Sequence, residues 1–341
     1  MKTRFLHLLF LFLVVACSTP ATLNMRERVF GERPRKTVWF QVAGLSEEHL
    51  AMLRFNFLDA QKTTAFESAD CIGKVWNFNL YELRPDPALG FLAQTLGTPN
   101  VKGTCEDTTH DPLWSYIGKI DGQTFVLEHG VEGKNSFENL LSCPGQSSEA
   151  TDLTLIRMNK APTSDARSYH YQDKGPNLAP GIIYDRSCST GSCYASLFSN
   201  FKAIWDTVRS NNAESVFIVR DFSYYNALKK QNISAAREIL NDLEKAVALA
   251  MQDSPNDLVL VTTSAVLPLE FPEKGVSWVE YEKKGKNIVY KRASLMSMVL
   301  AKGRLAENFC GVYSESEILK RLLWLPEEKK FGVDTLKKLF Q

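Results

Sequence analysis

The chain has 341 residues, of which 44% are hydrophobic and 23% charged, enough to bury a sizeable core in one large domain or two smaller ones. Forty basic residues against 39 acidic ones give a formal net charge of +1, so no global field draws the chain to a polyanion. Nucleic acid is therefore not an expected partner.

The first residues read as an address rather than as part of the fold. Lys2 and Arg4 precede an apolar run from Phe5 to Val15, too short to cross a bilayer as a stable helix and typical of a secretory signal. The run closes Val14-Val15-Ala16-Cys17, which resembles the bacterial lipoprotein box, in which the cysteine is acylated and becomes the first residue of the mature chain. Ser18 follows it. By resemblance to the Gram-negative sorting pattern, a serine rather than an aspartate implies the outer membrane, with the domain on the periplasmic or the surface side. Residues 1–16 are thus expected to be a signal peptide and residues 17–35, polar and without periodicity, a lipidated tether. The folded domain is expected over 36–341.

Lys36 to Gly44 predicts a strand, and Ser46 to Phe57 a helix capped by Ser46. A short helix follows over Ala88–Leu96. Residues 105–196 are less regular: a strand is expected at Gln123–Gly130, followed by long Ser, Gly, Pro and Asp-rich stretches read as a disulfide-braced insertion over the sheet. Tyr194 to Arg209 has the apolar stripe of an amphipathic helix. Val216–Phe222 and Asp257–Ala265 are short, branched, apolar runs that predict buried strands. Between them Ser234 is expected to cap a helix carrying Ile239, Leu240, Leu243, Ala246, Val247 and Ala250 at helical spacing. Strand, helix, strand at this spacing is a crossover in a parallel sheet. Beyond Ala265 the alternation predicts a hairpin (Val276–Tyr281 with Ile288–Arg292), a strand at Leu295–Ala301 and a final helix at Glu315–Trp324.

The fold class expected is α/β, a mostly parallel sheet sandwiched by helices. Chemistry in such sheets sits at the carboxyl ends of the strands, here Arg220, Asp221 and Phe222 on one strand and Thr262, Thr263, Ser264 and Ala265 on another.

Apart from Cys17, six cysteines remain: Cys71, Cys105, Cys143, Cys188, Cys193 and Cys310. An even count in an oxidising compartment predicts disulfides, and six cysteines allow 15 pairings among which spacing does not choose. Of the five histidines, His110 with Asp111 and His129 form the one grouping from which a relocated metal site can be imagined.

Four stretches carry a resemblance to the alkaline phosphatase superfamily. Ala301–Ile318 (AKGRLAENFCGVYSESEI) resembles that family's late Gly, Ala-Glu, Phe, Gly-Val pattern. Asn256–Ala265 resembles its strand ending Thr-Ala-Asp-His, Leu243–Met251 the helix before it, and Thr37–Ser46 its opening strand. The family's chemistry implies two zinc ions held by Asp and His, and a Ser or Thr nucleophile. Carried over by position, the first metal aspartate falls at Ala43, the Asp-His pair at Ser264 and Ala265, and the late histidine near Arg292. The remaining ligands fall at Asp221, Asn226 and Lys230, so only Asp221 keeps a ligand-type side chain, as a vestige. Ser68 and Cys71 lie at the family's distance for a nucleophile, without a distinctive motif.

The resemblance therefore implies a catalytically inactive, alkaline phosphatase-like envelope lipoprotein that binds an unknown ligand or envelope protein and has no metal cofactor. The alternatives are a zinc-dependent hydrolase of phosphate, sulfate or phosphonate esters with a rebuilt site, and a structural envelope component. Arg220 and Arg292 are candidate anion-binding residues in place of metal, since an arginine fork holds a carboxylate, sulfate or phosphate without one.

Overall fold

The computed structural model describes residues 33–56, 63–77, 79, 84–104, 106–107, 110–131, 135, 137, 153–158, 170–172, 196–253, 257–273 and 275–323. The signal, Cys17 and the tether up to residue 32 lie outside them, as do Cys105, Cys143, Cys188 and Cys193. Among the described residues no helix is long and apolar enough to cross a membrane.

A nine-stranded sheet organises the domain. Its centre is β1 (Lys36–Ala43), flanked in parallel by β6 (Ser215–Asp221) and β7 (Leu258–Ser264). β3 (Gln123–His129) lies parallel to β6, and β4 (Leu153–Met158) parallel to β3, with β5 (His170–Gln172) antiparallel at that edge. On the other side β10 (Met296–Gly303) runs antiparallel to both β7 and β2 (Cys71–Trp76), and β11 (Gly311–Ser314) closes the edge. The expected α/β sheet, mostly parallel, is what forms. The segment 105–196 contributes β3, β4 and β5 in the plane of the sheet, so it extends the sheet as well as linking its parts.

β1, β6 and β7 are buried over nearly their whole length, which is why their sequences are continuous apolar runs. One face of the sheet is covered by α1 (Glu47–Asn56), α4 (Leu197–Ser210), α5 (Ser223–Lys229) and α6 (Ile233–Asp253), with Phe201, Trp205, Leu240, Leu243 and Val247 among the buried side chains. The other face is covered by α2 (Pro87–Leu96), α3 (Leu113–Gly118) and α8 (Ile318–Leu323), around Trp39, Phe91, Trp114 and Phe309. Each large side chain so buried contributes about 1.5–3 kcal/mol. The predicted crossover is β6–α5–α6–β7, and it passes over β1, which pairs with both strands.

Three local expectations change. The apolar face of α6 is as read, but its cap is Asn232, whose Oδ1 accepts from Ala235 N at 3.1 Å, rather than Ser234. Ser46 does not cap α1 through its side chain: Oγ is buried without a partner among the described residues, and the turn is closed by His49 N donating to Ser46 O at 3.2 Å. Val276–Tyr281 is not a hairpin strand but the body of α7 (Val276–Lys284), ended by Gly285 at φ 63. Its Trp278 and Tyr281 pack on each other, with Phe271 against Tyr281, a contact that helical spacing supplies. Val289–Tyr290 (β9) pairs instead with Leu269–Glu270 (β8).

Of the six cysteines, Cys71 and Cys310 form a disulfide that ties the start of β2 to the residue before β11. It closes a loop of sequence separation 239 and is worth about 2–5 kcal/mol.

Candidate functional site

β7, β1, β6 and β3 are mutually parallel, so their carboxyl ends, Ser264, Ala43, Asp221 and His129, share one edge of the sheet. Two polar clusters stand there on either side of Ala43.

The first joins β3 and β6. Strand register sets His129 beside Asp221, and His129 Nδ1 lies 2.6 Å from Asp221 Oδ1. Ser223, the first residue of α5, places Oγ 2.9 Å from the same ring nitrogen and hydrogen-bonds Asp221 Oδ1 as well. Tyr224 N donates to Asp221 Oδ2 at 3.0 Å, and Phe222 N to His129 O at 2.8 Å. Asp221 is fully buried, whereas the His129 side chain keeps 20% of its surface. Gly130 permits the approach: its φ is +68, and a Cβ there would meet Ser223 N at 2.5 Å and Ser223 Cα at 2.7 Å. Asn226 Nδ2 donates to Gly130 O at 3.0 Å, and Lys230 is exposed.

Beneath this cluster, on the opposite face, Arg220 is fully buried. Its Nη1 pairs with Glu128 Oε1, and its guanidinium lies 3.6 Å from the Phe137 ring centroid. The expectation that Arg220 offers its charge to a bound anion is corrected: an arginine sealed from solvent and neutralised by a carboxylate cannot take up a dissolved ion. Arg292 is exposed just after β9.

The second cluster joins β7, β10 and β2 beneath α2. Ser264 Oγ lies 3.2 Å from the Asn77 side-chain amide and 3.4 Å from Glu315 Oε2, and Gln94 Nε2 is 3.4 Å from the same carboxyl oxygen. Thr262 Oγ1 donates to Gln94 Oε1 at 2.7 Å and accepts from Trp39 Nε1 at 2.8 Å; Ser297 Oγ bonds Asn77. Every member is buried. Loss of water pushes the Glu315 carboxyl up to about 8, against weak support from Gln94 and Ser264, so at neutral pH it is mostly protonated and the network is neutral. α2 presses into it, held by Asp86 accepting from Ala88 N and Leu89 N at its first turn. A Cβ on Gly90 would stand 1.9 Å from Ser264 Oγ.

Between the clusters, the ring of Tyr225 covers the end of β1: a Cβ on Gly44 would meet Tyr225 Cδ2 at 3.0 Å. Phe222 and Phe91 meet edge to face at 5.6 Å. Ala265 is buried and holds a left-handed φ of 49, a conformation unfavourable for alanine.

Zinc finds a poor fit here. Ala43, Ser264 and Ala265 stand buried where the resemblance places ligands, and Asp221 is already hydrogen-bonded on both oxygens. Among the described residues no three His, Cys, Asp or Glu side chains group as ligands would. The imagined His110, Asp111 and His129 site does not form: His110 and Asp111 are exposed, and Asp111 pairs with Lys119 at 2.9 Å. Neither nucleophile candidate reaches the strand ends. Cys71 is in the disulfide, while Ser68 Oγ donates to Ala65 O at 2.8 Å and accepts from Lys302 Nζ at 3.1 Å. His129 and Ser223 were not singled out together by the sequence. The available signal was that the strand Gln123–His129, like Val216–Asp221, leaves its apolar run on a polar side chain.

Strand order, helical layers and the site at the carboxyl edge define an alkaline phosphatase-like α/β fold. Among solved structures the chain is similar to the cold-active alkaline phosphatase of a psychrophilic Shewanella species, with TM-score 0.61, 12% identity and coverage of 85% of this chain and 99% of that one. It is also similar to the alkaline phosphatase of the Antarctic bacterium TAB5, with TM-score 0.59, 16% identity and coverage of 86% and 98%. For the Listeria monocytogenes lipoteichoic acid synthase LtaP the values are 0.50, 11%, 92% and 80%. No protein-family model and no curated protein sequence matches the chain.

Proposed function

We propose that this protein is an exported lipoprotein, attached to the outer membrane through Cys17, whose alkaline phosphatase-like domain has lost two-metal phosphoester chemistry. It works by binding a ligand or an envelope protein and uses no metal cofactor. The observation that carries this reading is the buried Ala43, Ser264 and Ala265 at the strand ends, since methyl and hydroxyl groups cannot hold a zinc pair. The neutral network around Ser264 and Glu315 supports it by filling the adjoining space.

Two measurements on the purified protein test the reading: zinc content, and turnover of a chromogenic phosphate ester. Substoichiometric zinc and no turnover are expected; one or two zinc ions per chain with turnover would overturn it. Attachment is tested separately by fatty-acid labelling, which Cys17→Ala should abolish. A rebuilt hydrolase of phosphate, sulfate or phosphonate esters stands second, favoured by His129 at 2.6 Å from Asp221.

A further inference from the structure

We propose that His129, positioned by Asp221 and Ser223, is a metal-independent general base that activates water against a neutral acyl ester. This goes beyond the binding role above. It rests on the geometry of one cluster rather than on the fate of the zinc ligands.

Asp221 is an acceptor-only carboxylate, and three donors converge on it: Ser223 Oγ, His129 Nδ1 and Tyr224 N. In the neutral imidazole the proton is therefore on Nδ1, and the lone pair is on Nε2. Nε2 has no partner among the described residues, and the side chain is partly open to solvent while its anchor is fully buried. A ring fixed at one nitrogen and open at the other is the arrangement that general-base catalysis requires. Ser223 meets Nδ1 rather than Nε2, so it positions the ring and is not its nucleophile. The close approach of Gly130 to the Ser223 backbone locks the two elements together.

The same residues select the substrate class. Asp221 repels a phosphate dianion, and the nearest buried cation, Arg220, is paired with Glu128. An uncharged carboxylic ester meets neither obstacle. In the reaction, a water oxygen bonds to the ester carbonyl carbon as one of its protons passes to Nε2. The tetrahedral adduct then expels the alkoxide as its carbon–oxygen bond breaks, and that oxygen takes the proton back from Nε2. Acid and alcohol are released, and no oxidant, reductant or metal is consumed.

The test follows hydrolysis of p-nitrophenyl acetate and butyrate by the full chain in excess chelator, with p-nitrophenyl phosphate in parallel. Acyl ester turnover that survives chelation is expected, with a loss of roughly 100-fold or more in kcat for His129→Gln. The exposed-histidine control His110→Gln should match wild type. Asp221→Asn should lower kcat with KM unchanged and shift the His129 nitrogen resonances away from the Nδ1–H tautomer. Ser223→Ala should cost under about tenfold, without an acyl-enzyme by mass spectrometry. Absence of acyl ester turnover in folded wild type, full activity in His129→Gln, or an acyl-enzyme on Ser223 would each overturn the proposal. Zinc-dependent phosphate turnover would overturn the preceding reading and leave this one standing.

Discussion

The two polar clusters occupy the same edge of one sheet, a single strand apart, yet their physical characters are opposite. Around Asp221 the cluster keeps a carboxylate, an imidazole and a hydroxyl in short hydrogen bonds, with the imidazole reaching solvent. Around Ser264 everything is buried, the contacts to Glu315 are long, and the carboxyl is neutralised by a proton rather than by a partner. A carboxyl buried in a low-dielectric cavity must be either paired or protonated. The β7 side meets its buried carboxyl with a proton, whereas the β6 side pairs each of its buried carboxylates, Asp221 with His129 and Glu128 with Arg220.

The largest expected effect lies beneath the open cluster. Arg220→Met leaves Glu128 buried without its ion-pair partner and should cost about 3–5 kcal/mol in urea unfolding, much of it recovered in the double variant with Glu128→Leu. A loss under about 1 kcal/mol would mean that the pair does not underpin that side of the sheet.

Next comes the sealed side. Gly90→Ala drives a methyl group into Ser264 and Glu315, and at about 1–3 kcal/mol it should destabilise without altering acyl ester turnover. Parallel loss of that activity in a folded variant would show that the clusters are not independent.

The last effect is a slope, small at any one pH step. Folded Glu315, raised to about 8, keeps a proton that the unfolded chain, near 4.5, releases. The stability this gives is complete below about pH 4.5 and is lost as pH rises through about 8, at roughly 1.4 kcal/mol per unit at most. His49, held down to about 4 by burial, has the opposite sign: its contribution is present above pH 6.5 and is lost as pH falls through about 4. Between pH 6.5 and 8 only Glu315 of this pair titrates, so Glu315→Gln should flatten the stability profile there. An unchanged slope would place the excess proton elsewhere.

The scaffold was legible because its parallel strands are buried on both faces and so read as unbroken apolar runs bounded by turns. The helix at Val276–Lys284 was misread because Val276, Trp278 and Val279 are β-favouring residues, and a short helix gives little periodicity to set against them. The decisive cue was Lys283-Lys284-Gly285, a basic last turn followed by a left-handed glycine. At the site, Asp221 was found from its place at a strand end, and Ala43, Ser264 and Ala265 could be read directly as side chains that do not ligate zinc. The His129 pairing was not. It arises from register between β3 and β6, a long-range match that neither segment encodes alone. Arg220 failed as an anion site for the same reason, because Glu128 reaches it through that register.

The position of β1 bears on how the chain comes to be folded at all. Among the described strands it is the first synthesised, yet its neighbours lie far along the chain: Val38 must wait for Phe217 on one side and for Val259 on the other. Until then its backbone is an unpaired apolar edge, open to aggregation. Assembly of the centre is therefore a late, non-local event, slow in proportion to the chain that must first be brought together. A truncated product ending before β6 retains the strand and neither of its partners.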